Sequence, residues 1–338
     1  MIDLLVAGAG PAGAATAIRA ALAGLSVVVV EPRSGPIDKA CGEGIAHSAV
    51  EYLTRLGVEL SGRPFHGIRY VDATHQVDAR FTAGPGLGVR RTTLQSALLK
   101  RLAELNVPVI HDRVGPITQN TTSVTAANHT AHYLAAADGL HSPIRRQLDL
   151  SDGKSDEVRR GLRQHFAVAP WTDLVEVYWS RLGEAYVTPV ADDLVGVAIL
   201  TSARGTFDSH LDAFPALERR LRGAEAASAV MGAGPLRQRV HARTAGHVLL
   251  VGDAAGYVDA LTGEGIAVAL RTSAELVDCI RANRPQDYEA AWRRVSWECR
   301  LLTASLLWAR SRPLLAPRIV PAAAALPGVY RTIVNRLS

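Results

Sequence analysis

Three kinds of apolar pattern follow one another along the chain: short continuous runs, runs alternating with period two, and Ala-rich stretches at helical spacing. Ile2–Ala7 is a short apolar run whose length and composition predict a buried strand. GAGPAG (Gly8–Gly13) follows as a tight turn, and the Ala-rich segment from Ala12 to Ala23 predicts a helix ending at Gly24. Ser26–Val30 is a β-branched run typical of a parallel-sheet strand, and Glu31 closes it. Strand, turn, helix and strand in about thirty residues make a βαβ unit.

Downstream, Ser48–Leu56 reads as a helix and Ile68–Phe81 as alternating strands. GPGLGVRR (Gly84–Arg91) is expected as a loop, Thr92–Leu105 as an amphipathic helix, and Val107–His111 and Ala131–Ala137 as strands. From Leu162 to Leu200 the period is mostly two, which predicts an antiparallel sheet belonging to a second domain. Ala245–Val251 returns to the buried-strand pattern and Ile266–Ala282 to a helix. Asp287 to Ser338 reads as helical, broken by Pro313, Pro317, Pro321 and Pro327. There is no internal repeat, and the Ala run at 322–325 is the one low-complexity segment.

Composition narrows the classes. A chain of 338 residues can bury a large core and suggests two domains, or one core with an insertion. Hydrophobic content of 48% and charged content of 20% exclude wholesale disorder. A net charge of +5, carried mostly by Arg, favours anionic ligands or an anionic membrane surface, and is too small and scattered to argue for nucleic acid. Cys41, Cys279 and Cys299 are odd in number and widely spaced, against a disulfide framework or a structural zinc. The N-terminus has no basic n-region, and no apolar run reaches the ~18 residues of a membrane span, so a cytoplasmic location is expected.

The turn fits G-x-G-x-x-G at Gly8, Gly10 and Gly13. Its glycines serve the turn, the approach of backbone to a pyrophosphate, and helix–strand contact. The helix N-terminus offers free N–H groups to phosphates. Glu31, 18 residues after Gly13, stands where a carboxylate can bind ribose hydroxyls. Two further stretches specify the dinucleotide. YLAAADGLHSPIRR (Tyr133–Arg146) carries Asp138-Gly139 after a strand, with Ser142-Pro143 as helix cap and first residue. HVLLVGDAAGYVDALTGEGI (His247–Ile266) is a strand ending in Gly252-Asp253, followed by a small-residue loop. In order and spacing, the three motifs resemble those of FAD enzymes of the p-hydroxybenzoate hydroxylase superfamily.

That resemblance implies a Rossmann-like FAD-binding domain made of residues 1–65, 86–155 and 240–285. It implies an inserted β-sheet substrate domain of residues 66–85 and 156–239, and a C-terminal helical segment of residues 286–338. The fold class is therefore α/β, or α+β overall. By the same resemblance Asp253 meets the flavin ribityl chain, and Gly263, Gly265 and Ile266 open a helix aimed at the isoalloxazine ring. Ala12, Arg33, Arg91 and Val114 would also touch FAD. KACGEGI (Lys39–Ile45) and LTGEGI resemble the geranylgeranyl reductase branch, which places Cys41 and Gly42 over the flavin. The strand YVTPV lacks the extra aromatics of that branch, having Val187 and Thr188 beside its Pro.

Cys41 and Glu43 are the candidate catalytic residues. A lone Cys is more often a small buried hydrophobe and a loop Glu a solvated one, so both alternatives stand. No G-x-S-x-G, Walker loop or zinc-protease helix is present, His129 and His132 lacking the Glu of the last. NAD(P)H as co-substrate would then bind without a Rossmann domain of its own. The function expected is NAD(P)H-driven reduction of a C=C bond in a hydrophobic, isoprenoid-like small molecule. The alternatives are an FAD-dependent monooxygenase acting on an aromatic or polyketide-like compound, and a non-catalytic flavin sensor. The basic, amphipathic tail allows peripheral membrane contact.

Overall fold

The computed structural model describes residues 1–153 and 158–337. The domain boundary expected at 155/156, and Ser338, lie outside the described residues.

The first sheet is built on Ile2–Ala7, which pairs in parallel with Val27–Val30 on one side and His129–Ala136 on the other. Val109–Ile110 and Val248–Leu250 extend it, also in parallel. Leu4, Leu5 and Val6 are wholly buried, which explains their continuous apolar run: both faces of this strand are covered. Helices Pro11–Leu22, Arg91–Glu104 and Gly265–Arg281 pack together on this sheet. Small residues permit that closeness. A Cβ on Gly13 would stand 1.9 Å from the Gly8 carbonyl oxygen, and one on Gly252 would stand 2.5 Å from Ala12 Cβ. Gly8 itself has φ +101°, a left-handed conformation that L side chains rarely adopt.

The second sheet runs in the order Gln76–Arg80, Gly67–Val71, Val175–Trp179, Gly183–Ala191, Leu194–Thr201, Arg160–Ala167. Its pairs are antiparallel except that of Val175–Trp179 with Gly67–Val71. Period two assigns the faces. Val195, Val197 and Ile199 pack against Phe207, Phe214 and Leu217, which belong to two short helices and their junction. The alternate residues Ala198 and Leu200 face the other way, onto a cavity.

One expectation is corrected. Within GPGLG, Gly86–Gly88 is a strand, pairing with Gly44–Ile45 and Arg63–Phe65. Glycines show no side-chain alternation, so the strand leaves no trace in the pattern. Gly is required by contact, since a Cβ on Gly88 would stand 1.8 Å from the Pro189 carbonyl oxygen.

The tail folds as helices Tyr288–Arg310, Ile319–Ala325 and Pro327–Leu337. Pro327 opens the last helix, where its missing N–H costs nothing. Val320, Tyr330 and Val334 pack on Val77, Ala79 and Val177 of the second sheet.

A buried ionic cluster joins these parts. Arg159 donates to Glu184 at 2.7 Å and to Asp259 at 2.9 Å, and Arg310 of the long tail helix reaches the other Glu184 oxygen. Breaking a buried charge pair by removing one partner typically costs on the order of 3–5 kcal/mol. Glu184→Gln is therefore expected to lower the thermal midpoint by roughly 4–7 °C, measured by calorimetry. A shift under a degree would show that the cluster carries no stability.

Candidate flavin and substrate site

A cavity of about 860 Å³ lies between the carboxyl ends of the parallel strands, the inner face of the second sheet, and the tail helices. Ligands of open α/β sheets bind at this end of the strands. Most of the residues singled out in the sequence meet on its wall. The first turn brings Gly10 and Ala12, the start of the third helix brings Arg91, and the Asp-Gly motif brings Asp138 and Gly139. The second motif brings Gly252, Asp253, Gly263, Gly265 and Ile266, and the loop before Ile45 brings Cys41, Gly42 and Glu43. Gly8 and Gly13 stand behind the wall, where their role is the close contact already described. Glu31 lies at the end of its strand, accepting from the Ala9 N–H at 3.0 Å and from Arg33 Nε at 2.8 Å. Burial opposes its ionisation, but these bonds outweigh that and hold the carboxyl below its ordinary value. Val114 packs half-buried on the first core and is not part of the cavity wall.

The polar end of the cavity fits FAD. Helices Pro11–Leu22 and Gly265–Arg281 both begin there with no side-chain cap, leaving N–H groups free for an anionic ligand. A Cβ at Gly42 or Gly263 would meet nothing, and one at Gly10 would meet only Arg91 Nη2 at 3.9 Å, so backbone faces open space. Asp138 accepts the Ile144 N–H through one oxygen while its other is buried with no partner among the described residues, the orphan that a cofactor hydroxyl would satisfy. Burial pushes the carboxyls of Asp138 and Asp253 up, and Lys39, Arg91 and Arg145 act against it at Asp253. Lys39 and Arg91 are pushed down, chiefly by their shelter from water.

Arg145 braces this end, donating to the Ala254 and Leu140 carbonyls and to Gln238. Ser142 caps its short helix, accepting the Arg145 N–H at 2.9 Å, as the Ser-Pro signal implied.

The Cys41–Glu43 loop is held from the opposite sheet. Glu43 has φ +59° and is itself buried. One of its oxygens accepts the Arg91 N–H at 2.8 Å, and the other meets His165 Nε2 at 2.6 Å. Arg163 has no acceptor, so His165 Nδ1 accepts from it and Nε2 donates to Glu43. Thr188 Oγ1 donates to the Gly42 carbonyl at 2.6 Å. The Glu43 carboxylate is thus engaged in holding the loop. The Cys41 thiol, accepting from the Glu43 N–H at 3.4 Å, is pushed up by burial and stays protonated at neutral pH.

The far end of the cavity is apolar. Ile68, Tyr70 and Val177 of the second sheet face Leu302, Leu306 and Tyr330 of the tail. Tyr70 and Tyr330 pack ring on ring, with centroids 4.7 Å apart. Glu264 also lines the cavity, 6% exposed, and its carboxyl is pushed up from the ordinary 4.5 to about 8 by burial, which Arg271 only partly opposes.

Fold and site together define a flavoprotein whose cofactor cradle opens into an apolar chamber. The FAD binding domain family matches residues 1–282. The chain belongs to that family, within the p-hydroxybenzoate hydroxylase superfamily, and is an FAD-dependent oxidoreductase. It is 30% identical over 319 residues to menaquinone reductase of Mycobacterium tuberculosis, covering 82% of this chain and 76% of that one. It is 26% identical over 315 residues to digeranylgeranylglycerophospholipid reductase 2 of Methanosphaera stadtmanae, with 80% and 75% covered. Two solved structures share the fold at low identity. A flavoprotein/dehydrogenase from Cytophaga hutchinsonii has a TM-score of 0.84 at 18% identity, covering 99% of this chain and 92% of that one. A p-nitrophenol 4-monooxygenase from Pseudomonas putida DLL-E4 has 0.82 at 17%, covering 99% and 96%.

Two outcomes follow from the polar end and from Glu264. Asp253→Ala is expected to weaken FAD at least about tenfold, roughly 1.4 kcal/mol, read from the flavin-to-protein absorbance ratio and a titration of the apoprotein. Unchanged flavin content would remove Asp253 from the cradle. For Glu264, the folded carboxyl binds its proton more tightly than the unfolded one, so its contribution to stability is lost as pH rises from 4.5 towards about 8. Glu264→Gln should melt several degrees above the native chain at pH 8, on the order expected for a few kcal/mol, with the gap closing towards pH 4.5. A gap independent of pH would contradict the raised value.

Proposed function

We propose that this oxidoreductase reduces a carbon–carbon double bond in a long, hydrophobic, isoprenoid-like substrate, with NAD(P)H as the electron source. The observation that carries this reading is the continuity of the cavity, which runs from the cofactor cradle into an apolar arm between the second sheet and the tail helices. The two named relatives are by name reductases of menaquinone and of a digeranylgeranylglycerophospholipid, which agrees with such an arm.

FAD, when bound, would supply the two-electron chemistry that carries a hydride from NAD(P)H to one carbon of the double bond, the other carbon taking its proton from water. The chain's own part is to hold, orient and exclude water. Gly10, Asp138 and Asp253 with the two uncapped helix starts would bind the cofactor. Glu43, clamped to His165 and the Arg91 N–H, holds the Cys41–Gly42 backbone on the wall between cradle and arm. Cys41, which lines the same wall, would meet the substrate as a neutral thiol. Ile68, Val177 and Leu306 desolvate the chain of the substrate, and burying each of its methylenes gains about 0.8 kcal/mol.

Leu306→Trp, which fills the arm, should raise KM for a long prenyl substrate about tenfold or more and leave a short analogue unaffected, since several buried methylenes are displaced. Anaerobic incubation with NAD(P)H and a prenyl lipid should bleach the flavin and yield a product two hydrogens heavier per double bond. Oxygen-dependent hydroxylation with no anaerobic product would overturn the reductase in favour of a monooxygenase.

A further inference from the structure

Seven of the twelve large apolar side chains left exposed among the described residues follow Ser296, so the apolar surface is concentrated in the tail. On helix Tyr288–Arg310 the exposed Trp297, Leu301 and Trp308 fall at i, i+4 and i+11, one stripe along one face. The adjacent face of the same helix, through Leu302 and Leu306, lines the cavity. Leu314, 79% exposed, continues the apolar surface beyond the helix end. Leu326, Val329 and Ile333 are both exposed and part of the cavity wall, so the apolar arm opens within this surface.

The charge around it is one-sided. Residues 296–337 carry six arginines against one acidic residue, Glu298. Arg310 is bound to Glu184 and Arg336 lies 3.7 Å from Glu298. Arg312 stacks over Trp308 at 5.4 Å and, like the exposed Arg318 and Arg331, has no carboxylate partner among the described residues. No helix among the described residues is long and apolar enough to cross a membrane.

We infer that this face docks in the interfacial layer of an anionic bilayer, so that the cavity mouth opens onto the hydrocarbon and takes its substrate from there. The inference rests on the hydrophobic-substrate reading above and adds the surface that delivers the substrate. An apolar face carrying Trp, rimmed by Arg, matches the interface of a bilayer, where ring and guanidinium reach the headgroups while aliphatic side chains enter the acyl boundary. A second copy of this chain fits less well. A two-fold contact through this face would set two surfaces rich in unpaired arginine against each other, whereas lipid phosphates neutralise them.

The test uses the FAD-loaded protein with vesicles of phosphatidylcholine alone or mixed with phosphatidylglycerol. The protein should sediment with the mixed vesicles at low salt, be released as salt rises, and shift its Trp emission to the blue on binding. Arg312→Glu/Arg318→Glu should weaken binding on the order of tenfold or more, and Trp308→Ser/Leu314→Ser should remove most of the blue shift. None of these four residues lines the cavity, so both variants should keep their flavin and reduce a short, water-soluble analogue as before. Protein left in the supernatant with anionic vesicles at low salt would overturn the inference, as would variants that bind like the native chain. A dimer lost in the same variants, without vesicle binding, would assign the face to self-association and overturn it too. Reduction of detergent-dispersed prenyl lipid without vesicle binding would end the docking alone; vesicle binding without reduction of any prenyl lipid would end the substrate reading alone.

Discussion

Glu184 lies fully buried in the second sheet, with Arg159 on one carboxylate oxygen and Arg310 on the other, and Arg159 in turn holds Asp259. A carboxylate in such a place is tolerable only while cations surround it. The three partners belong to different parts of the molecule: the strand region of the second sheet, the loop that follows Gly252-Asp253, and the long tail helix. Those parts are also the walls of the cavity. The electrostatic requirement of one buried anion therefore fixes how the loop after Gly252-Asp253, the second sheet and the tail stand to one another, and with them the width of the apolar arm.

The Glu43–His165 bond serves the other end in a similar way. The loop carrying Cys41 leaves the first sheet, yet its position is set by a histidine and a threonine of the second. Between these two fastenings the cavity grades from polar to apolar. An orphaned Asp138 oxygen and free helix N–H groups stand at one end, tyrosine rings and aliphatic side chains at the other. A molecule reacting at the boundary needs a polar partner on one side and a dry apolar one on the other, which is the arrangement a flavin with a hydrophobic substrate requires.

Much of the cofactor end could be read from the chain because its signals are local. The apolar run Ile2–Ala7, the glycines at 8, 10 and 13, Asp138-Gly139 and Gly252-Asp253 each owe their identity to a neighbouring strand end or helix start; Gly10, Asp138, Gly139, Gly252 and Asp253 meet on one wall, with the others behind it. Arg163 and His165 carried no such signal, and Lys39 and Arg145, though they stand within KACGEGI and HSPIRR, had no role marked there. A polar residue in a period-two strand reads the same whether its side chain meets water or a buried carboxylate from 122 residues away, as His165 does. Glycine hides strands for the opposite reason, having no side chain to alternate, and Gly86–Gly88 was lost to the pattern on that account.

The tail shows the division most clearly. Its helices, its prolines and its excess of arginine follow from local stereochemistry and composition, which act within a few residues of each position. Which helix face lines a cavity, which is left bare, and which arginine meets Glu184 depend on packing against strands some hundred to two hundred and fifty residues earlier. Sequence alone determined the βαβ unit, the placing of the three cofactor motifs and the alternation of the second sheet, because backbone geometry and hydrophobic period impose them. Tertiary structure decided the shape of the apolar arm, the clamps on Glu43 and Glu184 and the exposed apolar mouth. Burial and charge pairing act between parts of the chain that no sequence period connects.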